Sequence, residues 1–157
     1  MAQIIDERMA AEMEGDFVVF LIGARINKWW KLKNLIWFSG TMPRMLKELA
    51  SRPVEETGFL GYKMLNMTTN VQYWRSFDHL EAYARSKDSE HFPAWVEFNK
   101  RYGKSRGDVG IWHETFLVKS GQYEAVYSGM PRSGLGKAGD LVPATGSREK
   151  ARARLSA

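Results

Sequence analysis

His113 is the residue whose type and setting point most directly to chemistry. It sits at the centre of Asp108-Val-Gly-Ile-Trp-His-Glu-Thr-Phe-Leu-Val118, a run rich in β-branched and aromatic residues that reads as a core strand. A polar side chain in such a run needs a partner or a task. A neutral imidazole in an apolar setting can act as a general base or ligate haem iron. The plainer alternative is a structural histidine whose ring bonds a neighbouring backbone group or carboxylate. Glu114 could orient a partner or serve as an acid or base, but an ion pair with Arg25 or Arg75 is the favoured reading. His91, beside Glu90, could bond a substrate at a cavity rim or simply cap a helix. His79 reads as a surface residue.

Other chemistries are weakened by what the chain lacks. There is no cysteine, which rules out disulfides, zinc thiolates and cysteine nucleophiles. The three histidines show no His-x-x-x-His spacing and no attendant carboxylate cluster, so a metal-ion site is not expected. Gly134-Leu-Gly-Lys-Ala-Gly139 has the letters of a dinucleotide loop without the strand-to-helix setting, and is rejected. Trp29-Trp-Lys-Leu-Lys-Asn-Leu-Ile-Trp-Phe38 would suit a membrane surface or an acidic partner. The favoured expectation is a helix that packs its tryptophans on a sheet and turns its lysines outward.

The elements that must position these residues follow from periodicity. Strands are predicted over 16–26, 58–67, 69–75, 108–118 and 122–128. One helix is predicted over 28–38, broken at Ser39-Gly40, and a second from Pro43 to Ser51. Ser76 is placed to cap a helix through Arg85, and another helix runs from about Asp88 to Tyr102 with Pro93 in its first turn. Gly103 to Gly107 reads as a turn. The order is that of an α+β ferredoxin-like sandwich, an antiparallel sheet with helices on one face. Residues 16–130 would form this domain, residues 1–15 an arm or loose helical turn, and 131–157 an irregular basic arm, mobile or weakly helical at its end. The strands read as apolar on both faces, so a second copy is expected to cover the open face as a homodimer.

At 157 residues the chain is long enough for one sizeable core. Of its net charge of +5, three units come from Gly134 onward, with five basic residues against two acidic. A nearly neutral body argues against nucleic acid as a partner. No run approaches the roughly 20 apolar residues of a membrane span, and residues 1–8 lack a leader pattern, so a cytoplasmic protein is expected.

Several phrases resemble known proteins. Tyr73-Trp-Arg-Ser-Phe-Asp-His-Leu-Glu-Ala-Tyr83 and Glu90-His-Phe-Pro-Ala-Trp95 resemble the strand-helix segment of dimeric α+β barrel monooxygenases. Val18-Val-Phe-Leu-Ile-Gly23, Arg25-Ile-Asn-Lys-Trp-Trp30, Met42-Pro-Arg-Met45, Gln72-Tyr-Trp-Arg-Ser76, Val109-Gly-Ile-Trp-His-Glu114 and Gly134 to Gly139 resemble a small family named after a fungal polyketide-tailoring monooxygenase. The resemblance implies a dimeric α+β barrel and oxidative chemistry on a small hydrophobic metabolite, either without a cofactor or with haem b. The wider superfamily also holds haem-dependent aldoxime dehydratases. At the positions that carry a Trp and a His in its haem-degrading branch, this chain has Tyr83 and Trp95, with His91 offset, which argues against haem degradation. On this reading His113 is the base or the axial ligand. Tyr73, Trp74 and Trp112 shape the pocket, Arg25, Asn70 and Gln72 orient polar atoms, and His91 and Glu114 complete the candidate set. A non-catalytic protein that binds a hydrophobic ligand or a membrane surface is the competing reading. Alternation along the strands does not say which face lines the pocket.

Overall fold

The structure is a computed structural model that describes residues 2–104 and 107–155, without the side chains of Leu32, Asn34, Leu35, Phe38 and Ser39. The turn expected over 103–107 and the end of the C-terminal arm therefore lie partly outside the described residues. Strands β2 (Phe17–Ile26), β3 (Phe59–Met64), β4 (Thr69–Trp74) and β5 (Val109–Val118) form a four-stranded antiparallel sheet in the order β3-β4-β2-β5. Helices α1 (Leu32–Ser51), α3 (Phe77–Arg85) and α4 (His91–Tyr102) pack on one face, and the short α2 (Val54–Thr57) leads into β3. The chain thus has the ferredoxin-like α+β order.

Local sequence explains most boundaries. Ser76 caps α3 by accepting from the His79 amide at 3.3 Å, which satisfies one of the helix's unpaired donors. The main core lies between helices and sheet, where Val18, Phe59 and Trp74 meet Leu46, Leu49 and Leu80. Burying a side chain such as Leu46 contributes about 2 kcal/mol.

Three expectations are corrected. The two helices expected over 28–38 and 43–51 are one helix, α1, which carries Pro43 in its interior. Helical geometry continues through Gly40 because packing on the sheet outweighs their helix-breaking tendency. The tryptophan pair is not part of that helix. Trp29 and Trp30 lie in the turn before it, 74% and 60% exposed, instead of packing on the sheet. The N-terminal arm is a strand, β1 (Ile5–Glu12), not a helical turn. It pairs with β6 (Val126–Met130) and β7 (Asp140–Pro143) in a second, three-stranded antiparallel sheet. Its polar sequence becomes a strand because partners more than 100 residues away complete its hydrogen bonds.

The two arms thereby cover part of the sheet's outer face. Phe17, Val19, Tyr73 and Val118 pack there against Met13, Tyr127 and Leu135, the first residue of α5 (Leu135–Ala138). The C-terminal segment is therefore ordered through β7 and ends in α6 (Ala151–Arg154), where Arg154 Nη2 meets Glu124 Oε2 at 2.8 Å. The rest of the outer face stays open, with Trp112 and Phe116 40% and 50% exposed. Among the described residues no helix is long and apolar enough to cross a membrane.

Candidate active site

A cavity of about 490 Å³ lies between the helices and the β2–β5 side of the sheet. Strand β2 presents Phe20, Ile22 and Ala24 to it, and β5 presents Ile111, His113 and Thr115. Helix α1 contributes Trp37, Thr41, Met42 and Met45, at the spacings of three and four that form one helical face. Helix α4 adds His91, Ala94, Trp95 and Phe98, and α3 closes the wall with Leu80 and Ala84. The lining is mostly apolar with a few polar groups, the usual make-up of a small-molecule site.

The two histidines arrive from different layers. His113 stands opposite Ile22 on the neighbouring strand, and its ring lies 5.5 Å from that of Phe20. It has no hydrogen-bond partner among the described residues and is exposed, because β5 is the sheet edge and the helices leave it open. His91, the first residue of α4, is half-buried. Its Nδ1 lies 2.9 Å from the Ala84 carbonyl oxygen. A carbonyl only accepts, so the proton sits on Nδ1 and Nε2 keeps its lone pair. Burial is the main influence on His91 and holds its pKa below the usual histidine value, while the bond to Ala84 pulls weakly the other way. The ring is therefore neutral near pH 7.

Charge enters at the rim. Arg85 and Glu81, both among the lining residues, form a solvent-exposed pair at 2.8 Å. Behind α3 and α4, Glu48 accepts from the Tyr83 hydroxyl and from the Glu90 amide, each at 3.0 Å. Burial first, and the Glu48 carboxylate second, raise the Tyr83 pKa and keep the phenol neutral. This pairing ties α1 to the loop before α4 and fixes where His91 begins.

Asn70, Gln72 and Trp74 share the helix-side face of β4 but do not line the cavity; they are buried in the core beside it. They form a relay. The Trp74 indole donates to Gln72 Oε1 and the Gln72 amide donates to Asn70 Oδ1, each at 3.0 Å. An indole N–H can only donate, which fixes the polarity of both amides. The relay ends in Asn70 Nδ2, a buried donor with no partner among the described residues.

The remaining candidates fall on the other face of the sheet. Arg25 and Glu114 lie there, opposite Gly110 and Leu21 respectively. Four residues of strand separate those positions, about 13 Å, so the expected ion pair does not form. Arg75 bonds the Glu14 carbonyl at 2.6 Å instead. Trp112 lies over Gly23, where a Cβ would come within 2.6 Å of its indole nitrogen. Tyr73 packs in the outer cluster, and burial, chiefly, pushes its pKa up to about 12. Residue alternation separates all four from His113 by one sheet thickness. Of the sequence candidates, the cavity brings together only His113 and His91.

The walls from α1 and α4 were not among those candidates. Their apolar stripes read as core, and periodicity does not reveal whether facing side chains fill the space between them.

Among the described residues no group of three or more His, Asp or Glu is placed to hold a metal ion. No curated protein sequence matches the chain. Two solved structures share the fold. One is an aldoxime dehydratase crystallised with butyraldoxime (12% identity, TM-score 0.62) and the other a second aldoxime dehydratase structure (14% identity, TM-score 0.63). Each match covers 88% of this chain but only 42% and 43% of the matched chains, so this chain spans less than half their length. The model of one sequence family aligns with residues 17–135, from the start of β2 to the start of α5. This span contains the whole four-stranded sheet, its helices and the cavity, and the chain belongs to the monooxygenase af470-like family.

Proposed function

We propose that the protein is a monooxygenase-like enzyme that oxidises a small, apolar, electron-rich metabolite in the helix–sheet cavity, with His113 as general base. The observation that carries this reading is the meeting of His91 and His113 in one largely apolar cavity. Such walls favour a hydrophobic ligand. An imidazole that takes the proton of a phenol-type substrate leaves an anion electron-rich enough to react with dioxygen. The electrons come from the substrate. One oxygen atom enters the ring to give a quinone-type product, and the other leaves as water with the two hydrogens that the substrate gives up. His91, neutral and with Nε2 open, serves as a second acceptor or positions the substrate hydroxyl. Oxygen uptake with a panel of electron-rich phenols tests this. Saturable uptake that His113→Ala abolishes and His79→Ala preserves is expected. Equal turnover by His113→Ala and the unsubstituted protein would remove the base from the account.

The His91–Ala84 bond favours a second reading, haem ligation. Metal-ligating histidines commonly donate their other ring N–H to a carbonyl, which orients the ring and raises its basicity. The donor set fits haem. His113 or His91 would hold the iron, the apolar walls would take the macrocycle, and Arg85 at the rim would meet a carboxylate. Bound haem would supply an iron able to bind and activate a small ligand. A Soret band on haem titration, lost in the variant of the ligating histidine, is the expected sign. No band under oxidising or reducing conditions eliminates this reading.

The expected homodimer belongs to the same proposal. A second copy over Trp112 and Phe116 would bury what the chain's own arms leave open. A cytoplasmic setting also remains part of it.

A further inference from the structure

The turn before α1 presents two adjacent tryptophans to solvent in a fixed arrangement. Trp29 is 74% exposed and Trp30 60%, and their rings meet edge to face with centroids 6.0 Å apart. The turn is clamped from below by one residue. The backbone amides of Asn27 and Lys28 donate to the Asp108 carbonyl at 2.9 and 3.3 Å. Lys28 Nζ lies 2.6 Å from one carboxylate oxygen of Asp108 and Lys31 Nζ 2.5 Å from the other. Asp108 itself is buried. The side-chain bonds from Lys28 and then Lys31 hold its pKa below the usual carboxylate value, so it stays ionised. Single exposed apolar residues are common on protein surfaces, but two large indoles held together at the tip of an anchored turn are costly to leave in water.

Charge around the turn narrows the occupant. Asp108 offsets only part of Lys28 and Lys31. Lys33 follows on α1, and Lys100 and Lys104 lie at the C-terminal end of α4; all three are exposed. That end of α4 reaches the same side of the molecule, since Tyr102 packs against Trp37 with ring centroids 6.2 Å apart. Two exposed indoles with Lys28, Lys31 and Lys33 beside them in the chain, and Lys100 and Lys104 at the end of the helix packed against α1, match the headgroup region of an anionic bilayer, where Trp settles at the interface and lysine meets phosphate. A second copy fits less well, because a two-fold contact here would set lysines against their own equivalents.

We infer that the Trp29–Trp30 turn docks the protein on anionic membrane surfaces. The inference is independent of the chemistry proposed for the cavity. A docked protein would nevertheless receive apolar ligands from the lipid beside α1, whose Trp37 lines the cavity wall.

Vesicle flotation of the full chain is the test, with phosphatidylcholine alone and mixed with phosphatidylglycerol. Flotation with the mixed vesicles is expected, weakening as salt rises, with little on phosphatidylcholine alone. The double variant Trp29→Ala/Trp30→Ala, with an unchanged melting curve, is expected to bind at least about tenfold more weakly. Lys33→Glu/Lys100→Glu is expected to weaken binding to the anionic vesicles. Absence of flotation at low salt, or equal flotation by the double tryptophan variant, overturns the inference. So does a double variant that turns a dimer into a monomer in sedimentation equilibrium, since the turn would then be a contact between copies.

Discussion

His91 and His113 enter one cavity from different layers, His91 from the first turn of α4 and His113 from the centre of β5. His91 is fixed by its bond to the Ala84 carbonyl, while the His113 ring lies against Phe20 and makes no side-chain hydrogen bond among the described residues. One ring is therefore anchored and neutral, and the other is able to adjust to a ligand.

This asymmetry predicts different kinetic phenotypes. His113→Ala should lower kcat by about 10²–10⁴-fold, the range for loss of a general base, with a smaller effect on KM. His91→Ala should raise KM at least as much as it lowers kcat. Steady-state oxygen uptake separates the two. Matching losses in kcat alone would mean that both rings act in the transition state.

The burial of His91 also predicts a pH dependence of stability. Its pKa is lower in the folded protein than in the unfolded chain, where it is about 6.5. As pH falls below 6.5 the unfolded state takes up the proton first, so stability drops. The loss levels off once pH passes below the folded pKa. Urea midpoints at pH 7.5 and 5 should differ less in His91→Asn than in the unsubstituted protein. An unchanged difference would assign the acid sensitivity to other groups.

The amide relay on β4 should behave as a unit. Asn70→Ala leaves the buried Gln72 amide without its acceptor, and Trp74→Phe leaves Gln72 Oε1 without its donor. Each should cost about 1–3 kcal/mol from hydrogen bonding alone. The double variant should cost less than their sum, because both act through Gln72. Strict additivity in chemical denaturation would contradict a connected relay.

The second sheet should stabilise the first. Leu135 is buried against Met13 and Phe17, so Leu135→Ala should cost about 2–4 kcal/mol and open the outer face. Denaturant unfolding measures the cost, and binding of a hydrophobic dye should rise with it. A loss below about 0.5 kcal/mol would mean that the C-terminal arm merely rests on the sheet.

The sequence carries the central fold openly and the site only in part. Strands such as Phe17–Ile26 announce themselves by composition, and Ser76 marks the start of α3. The hidden features depend on distant partners. Ile5–Glu12 has no strand pattern of its own and acquires one from β6 and β7. Alternation sorts His113 from Glu114 and Trp112 without saying which set meets the helices. That is decided by where α1 and α4 pack, and neither the cavity nor its walls appear in any single segment. The Trp29–Trp30 turn misleads for a related reason. Indoles beside a helical stripe read as core until the Lys28–Asp108 and Lys31–Asp108 contacts place the helix start after them.

The central claim is that the helix–sheet cavity binds a small apolar ligand between His91 and His113. Imidazole nitrogen NMR tests it directly, because the chain's three histidines can be followed separately. His79 does not line the cavity; its Nδ1 lies 2.7 Å from Ser76 Oγ, and it serves as an internal control. Titration with an electron-rich phenol should shift the His91 and His113 signals along one binding curve and leave His79 unmoved. Saturable binding that leaves both His91 and His113 unshifted would contradict the account.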